Sequence, residues 1–192
     1  MKQEPARVRI LAAAEELFAQ DGFDATPTSR IAEKAAVPKG LVHYYFRRKP
    51  DLLRALVDRL PNEAITPESV VVPGDIGESL RRLVAELDRR LNASRVLSHL
   101  LWREADTHSA VQEALHDRYR GLVKQVRAVI MAAAMGTLAV ADVESAAGLL
   151  ALAVSYRHSV ARHTADDQPD EMEHELNFIA DALTARVKPV SA

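Results

Sequence analysis

From Ile10 to Val187 the apolar residues return every three or four positions, and no stretch of useful length alternates apolar with polar. A period near 3.6 gathers such residues on one side of a helix, whereas a half-buried strand needs a period of two. The one β-like run, "VVVPGD" at Val70–Asp75, is short and meets a proline. Ala and Leu are plentiful and aromatics make up only 5% of the chain, which suits helices because Ala and Leu lose little on entering them. The expectation is an all-α fold. With 48% hydrophobic residues in 192, a sizeable core is available.

The stripes delimit the helices. Ile10, Ala14, Leu17 and Phe18 form the first, with Pro5 in its first turn and Gly22 at its end. A second helix is expected over Pro27–Ala35, with Thr26 as N-cap and Pro27 at N1. Val37-Pro38 breaks the pattern. A third runs from Lys39 to Phe46, with Val42, Tyr45 and Phe46 facing inward, and a fourth starts near Pro50 with Leu52, Leu53, Leu56, Val57 and Leu60 on one side. Pro61, Pro67, Pro73, Gly74 and Gly77 then mark a long loop. Five more helices are expected: Ile76–Leu91, Arg95 to about Thr107, Val111 to about Met135, Val143 to about His163, and Glu171 to about Val187.

Charge separates the two ends. Residues 1–60 hold 11 Lys/Arg against 8 Asp/Glu, a net of +3, while residues 61–192 hold 14 against 19, a net of −5. A polyanion would therefore meet the N-terminal part. That part contains "PTSRIAEKAAVPKGLVHYYFRRKPDLL", Pro27–Leu53: a short helix, a brief turn, a second short helix and a basic cluster of Lys39, Arg47, Arg48 and Lys49. This is helix-turn-helix spacing. The second helix can enter a DNA major groove about 12 Å wide, offering Lys39, Gly40, Leu41, His43 and Tyr44, while free N–H groups at Pro27-Thr28 and Lys39-Gly40 point toward phosphates. Spacing alone also fits a plain helical corner with a solvated basic rim.

The fuller string "RILAAAEELFAQDGFDATPTSRIAEKAAVPKGLVHYYFRRKPDLL", Arg9–Leu53, resembles the N-terminal domain of the tetracycline-repressor (TetR) family. It carries an "AAxxLFxxxGFxxT" helix, an "IAxxAxV" helix, a "KGLxxYYF" recognition helix and a "K-x-D/E-x-L" start to the fourth. The resemblance implies an all-helical homodimer that binds a near-palindromic operator and usually represses until a small ligand releases it. It places DNA contacts on Thr28, Ser29, Lys39, Gly40, Leu41, His43, Tyr44 and Lys49, with Phe46 more buried than Tyr45. Three positions depart from the family pattern. The usual Ala-Gly-Val-Ser turn reads Ala35-Ala36-Val37-Pro38. A Cβ at Ala36 strains a turn that uses positive φ, and Pro38 supplies no capping acceptor. His43 replaces a Tyr and, if it reaches the DNA, would tighten binding on protonation. Ser29 is short for a base contact.

The resemblance divides the chain into a DNA-binding head, residues 1–50, and a regulatory, ligand-binding and dimerisation body, residues 51–192. In the body, His99, Trp102, Arg103, Tyr119 and Tyr156 are candidate polar tips of a ligand pocket; they read equally as packing aromatics and helix-surface groups. The stripes Val143, Ala147, Leu150, Val154 and Met172, Leu176, Ile179, Ala180, Leu183, Val187 either meet a second copy, as the resemblance implies for residues 143–163 and 171–187, or face the chain's own core.

No enzyme is expected. Cysteine is absent, and no nucleophile elbow, P-loop or dinucleotide motif occurs. The seven histidines are scattered; His158 and His163 diverge around a helix, and Asp170 with His174 sits on an acidic face, so no metal or other cofactor is expected. "MKQEPARVRILAAAEELF" lacks a signal-peptide core, and Ala128–Ala141 is too short to span a membrane, so the cytoplasm is the expected location. The alternatives are an activator or ligand-independent regulator with the same head, or a helical small-molecule-binding protein with no DNA role.

Overall fold

The computed structural model describes residues 5–60, 65–92, 95–160 and 172–189, leaving out the side chains at 91, 92, 95, 96, 99, 159 and 160. Among these residues there are nine α-helices and no strand: α1 (Ala6–Asp21), α2 (Thr28–Lys34), α3 (Lys39–Tyr45), α4 (Lys49–Val57), α5 (Ile76–Asn92), α6 (Arg95–Ala105), α7 (Ser109–Ala133), α8 (Val140–Val160) and α9 (Glu173–Thr184). None is long and apolar enough to cross a membrane. They gather into two compact units, Met1–Leu60 with Ser94–His116 and Pro61–Ala93 with Asp117–Ala192. The packing division thus puts α4 and α6 with the helix-turn-helix.

In the first unit the α1 stripe of Ile10, Ala14, Leu17 and Phe18 is fully buried, as its spacing requires. Pro5 stands one place earlier than expected, at the N-cap, and Gly22 ends the helix at φ 89°, a conformation that favours glycine. Phe23 folds back edge-on to Phe18, with ring centroids 5.1 Å apart. Thr26 is not the N-cap of α2; Pro27 is. The Thr26 side chain is buried, and its hydroxyl donates to the Gly22 carbonyl at 2.8 Å, so it closes the α1–α2 loop instead of capping a helix. Ile31, Ala32 and Ala35 seat α2 on the same core.

α2 ends in a Schellman turn. Val37 N–H donates to the Ala32 carbonyl and Ala36 N–H to that of Glu33, both at 3.0 Å, with Ala36 at φ 51°. α3 then starts behind Pro38, which offers no capping side chain. α4 begins at Lys49, one residue before Pro50; its Asp51 carboxylate accepts from the Arg48 N–H at 2.9 Å. Leu97, Leu100 and Leu101 of α6 complete this core, and Arg103 donates to the Phe18 carbonyl at 3.1 Å, tying α6 to the end of α1.

The second unit packs Leu80, Leu83, Val84 and Leu87 of α5 against Leu122, Val126, Val129 and Ile130 of α7 and the inner faces of α8 and α9. The described part of the long loop is locally folded. Pro67–Ser69 makes a single 3-10 turn. The Ser79 hydroxyl accepts from Val72 N–H at 2.8 Å and donates to the Asp75 carbonyl at 2.6 Å. Pro61–Ala64, at the start of that loop, lie outside the described residues, as do His163, Asp170 and Glu171.

Val143, Ala147, Leu150 and Val154 are buried within this core, as are Met172, Leu176, Ala180 and Leu183. The stripes named as possible dimer faces are therefore the chain's own core. Periodicity marks a buried face without saying which molecule buries it. The opposite sides of these helices expose Leu149, Leu152 and Tyr156 on α8 and Phe178 on α9.

Candidate nucleic-acid interface

α3 has seven residues, a rod of roughly 10 Å at 1.5 Å per residue. Val42, 1% exposed, anchors its middle, and Phe46, just beyond its last turn, anchors its end. With those two fixed, helical geometry turns the remaining side chains outward. Lys39, Gly40, His43 and Tyr44 are exposed, Tyr44 to 77%, and Leu41 is half-buried. Tyr45 does not face inward as expected; it is 40% exposed and meets Tyr44 edge-on at 5.2 Å. Phe46 fills the inward position, leaving Tyr45 at the margin.

Thr28 and Ser29 occupy the first turn of α2, Thr28 half-buried and Ser29 exposed. Helix geometry leaves their N–H groups without an intrahelical acceptor, and the same holds for Lys39 and Gly40 at the start of α3. Lys49 is placed differently from the other proposed contacts. It is half-buried, its Nζ donates to the Asp24 carbonyl at 3.2 Å, and it lies 4.3 Å from the centre of the Phe23 ring. It latches the start of α4 to the α1–α2 loop.

The cations of the head fall into two sets. Arg30, Lys34 and Arg59 are paired with Asp21, Glu16 and Glu15 at 2.8, 2.5 and 3.2 Å. Among the described residues, Lys39 at the first position of α3 and Arg47 just after α3 pair with no carboxylate. Arg48 makes only a loose contact with Asp51, at 3.6 Å. The exposed rod thus carries uncompensated positive charge at both ends.

The sequence profile described as "Bacterial regulatory proteins, tetR family" matches residues 10–56, which span α1 to α4. Over these residues the chain is similar to the tetR family. Curated relatives include the fatty acid metabolism regulator protein of Bacillus subtilis (strain 168), 39% identical over 57 residues, covering 29% of each chain. Another is the HTH-type transcriptional regulator UidR of Escherichia coli (strain K12), 33% identical over 54 residues and covering 28% of each. The chain thus matches under a third of the length of these relatives. Solved structures extend the likeness in fold. A transcriptional regulator from Rhodococcus sp. Rha1 superposes with a TM-score of 0.70 at 20% identity, over 97% of this chain and 100% of its own. Salmonella enterica GusR does so at 0.70 and 21%, over 96% and 98%. The likeness in fold to these two structures therefore runs through the body, where sequence likeness has faded.

The body residues singled out are divided between the two units. Trp102 and Arg103 stand on α6 in the first unit, Trp102 exposed and Arg103 committed to Phe18 and Glu104. The His99 side chain lies outside the described residues. In the second unit Tyr156 is exposed, and Tyr119 is half-buried with its hydroxyl donating to the Gly148 carbonyl at 3.3 Å, bridging α7 and α8. A cavity of about 340 Å³ lies on the head, lined by Arg9, Ala12, Glu16, Lys34, Ala35 and Ala36 and by none of these five. Among the described residues no three His, Asp or Glu converge as a metal site requires.

Sequence reasoning overlooked Arg7. It opens α1, and its guanidinium lies 5.7 Å from the centre of the Phe46 ring, at the end of α3. Thirty-odd residues separate it from the recognition helix, so no local spacing could have joined the two.

Proposed function

We propose that this chain is a dimeric DNA-binding transcription regulator of the tetR family and not an enzyme. In this reading it occupies a near-palindromic operator in the cytoplasm, represses there, and is released by a small molecule. The observation that carries the reading is the exposed α3: Val42 and Phe46 hold it by one side, and its outward side offers donors, a hydroxyl-bearing aromatic and unpaired cations. Lys39, Gly40, Leu41, His43 and Tyr44 face the groove, Thr28 and Ser29 meet the phosphates beside it, and Lys49 fixes the start of α4.

A single α3 reads too few base pairs for a unique site, and two copies on a twofold axis read two half-sites a whole number of turns apart, about 34 Å each. The partner is a second copy of this chain, meeting it through Leu149, Leu152, Tyr156 and Phe178. These are large apolar side chains exposed on α8 and α9, the pair of helices through which family members dimerise. An effector held among the helices of the second unit, near the Tyr119–Gly148 bridge, would act on α6. That helix is continuous in sequence with α5 and α7 yet packs with α1 and α4. A differential affinity of about 2–3 kcal/mol between bound and released forms is enough to switch occupancy.

The test is selection of duplexes from a random pool by the purified protein, followed by gel shift. A palindromic consensus of about 14–20 base pairs is expected, with affinity falling steeply as salt rises. Lys39→Ala and Tyr44→Ala should each abolish the shift while leaving the melting temperature in place. Failure to enrich any sequence, with binding to no duplex at low salt, would end the reading. A screen for compounds that both raise the melting temperature and release the selected duplex addresses the effector.

A further inference from the structure

We infer that Arg7 is a DNA-backbone contact, held against Phe46 so that it grips a phosphate at the opposite end of α3 from Lys39. The inference rests on the regulator reading above and concerns how the same face meets its duplex.

Three observations support it. First, Arg7 is exposed, and among the described residues its charged group meets the Phe46 ring alone. That ring is 5% exposed and belongs to the core of the head, so it is a fixed platform. A guanidinium over an aromatic face keeps its five N–H donors for other acceptors, and the attraction narrows its range of motion. Second, among the described residues no carboxylate pairs with Arg7, unlike Arg30, Lys34 and Arg59 elsewhere on the same unit. Among the described residues Lys39, Arg47 and Arg54 share that property, as do Arg9 and Lys49, whose charged groups donate to the Ala36 and Asp24 carbonyls, and Lys39 and Arg47 flank α3. Third, the spacing fits. α3 is roughly 10 Å long, close to the major-groove width of about 12 Å, so a cation on its first residue and one beyond its last stand over different phosphate rails. Lys39 serves one end. At the other end Lys49 is turned inward onto Asp24 and Phe23, which leaves Arg7 with Arg47 to meet the second rail.

A phosphate contact carries no sequence information, so its loss weakens all duplexes alike and lowers the number of counterions released. The experiment compares wild type, Arg7→Gln and Arg7→Lys on a duplex selected by the wild-type chain and on a scrambled duplex, over a series of salt concentrations. Arg7→Gln should lower affinity for both duplexes by the same factor. It should also reduce the slope of log K against log salt by about 1.8 for a dimer, 0.9 per lost contact. Arg7→Lys should keep the slope. Because Arg7 is a surface residue, all three proteins should melt alike. An unchanged slope for Arg7→Gln, or a slope lost equally in Arg7→Lys, would overturn the inference while leaving wild-type operator binding, and so the regulator reading, intact. A wild-type chain that binds no duplex would instead remove the regulator reading and this inference with it.

Discussion

Ala36 shows what one side chain costs at a fixed turn. Its φ of 51° lies in the left-handed region, where a Cβ crowds the following carbonyl and costs about 1–2 kcal/mol. The Schellman hydrogen bonds from Ala36 and Val37 hold it there, because they set the angle at which Pro38 launches α3. Ala36→Gly removes the crowding at a position glycine adopts freely, against a somewhat larger loss of chain entropy. The expected net gain is about 1 kcal/mol, or roughly 2–4 °C in melting temperature for a chain of this size. Thermal and urea unfolding measure it, and a lower midpoint for the glycine variant would refute the strain. This strain could be foreseen from the sequence, because the motif fixes the turn and alanine fills a glycine position. The role of Thr26 could not, since a threonine before a proline reads as a cap and only the folded loop brings Gly22 to its hydroxyl.

Among the elements, the stripes were readable throughout and the ends less so. α7 and α8 each begin two to three residues before the expected Val111 and Val143, where residues from Ser109 and from the exposed Val140 extend the helix without entering the core. Wholly invisible was the charged join between α5 and α8. Asp88 on α5 accepts hydrogen bonds from Arg157 and, at 2.7 Å, from His158 Nε2 on α8, and groups seventy residues apart leave no local pattern. Burial pushes the Asp88 carboxyl up, but the hydrogen bonds from His158 and Arg157 and their charge outweigh it and hold it below the ordinary carboxylate range. A group whose folded value is depressed stabilises the fold fully above its unfolded value, about 3.9, and loses that contribution as pH falls through the folded value. Unfolding free energy should therefore drop below about pH 4. Asp88→Ala should cost about 1.5–3 kcal/mol at pH 7, because it removes hydrogen bonds between charged groups, and less at pH 3. Urea titrations at the two pH values decide it; an equal cost at both would mean that the join acts through packing and not through charge.

At the scale of the whole molecule, a dimer built on the exposed apolar side chains of α8 and α9, as proposed above, has a consequence for DNA binding. Leu152 is 59% exposed, so in an isolated chain Leu152→Glu should change stability by under about 0.5 kcal/mol. Buried between two copies, the same carboxylate would lose its water without gaining a partner, a cost of several kcal/mol for each of the two symmetry-related sites. The variant should sediment as a monomer at concentrations where wild type is a dimer. Its α3 would be untouched, so each chain would still meet a half-site. What disappears is the link that makes the second half-site an intramolecular partner, and such a link is commonly worth a factor of 10² to 10⁴. Gel shifts should then show full-operator affinity lowered by about that factor and single half-site affinity little changed. A variant that stays dimeric would move the interface off this face. One that becomes monomeric yet keeps full-operator affinity would mean that one α3 reads the site unaided, which a rod of seven residues spanning a single groove has too few base contacts to do.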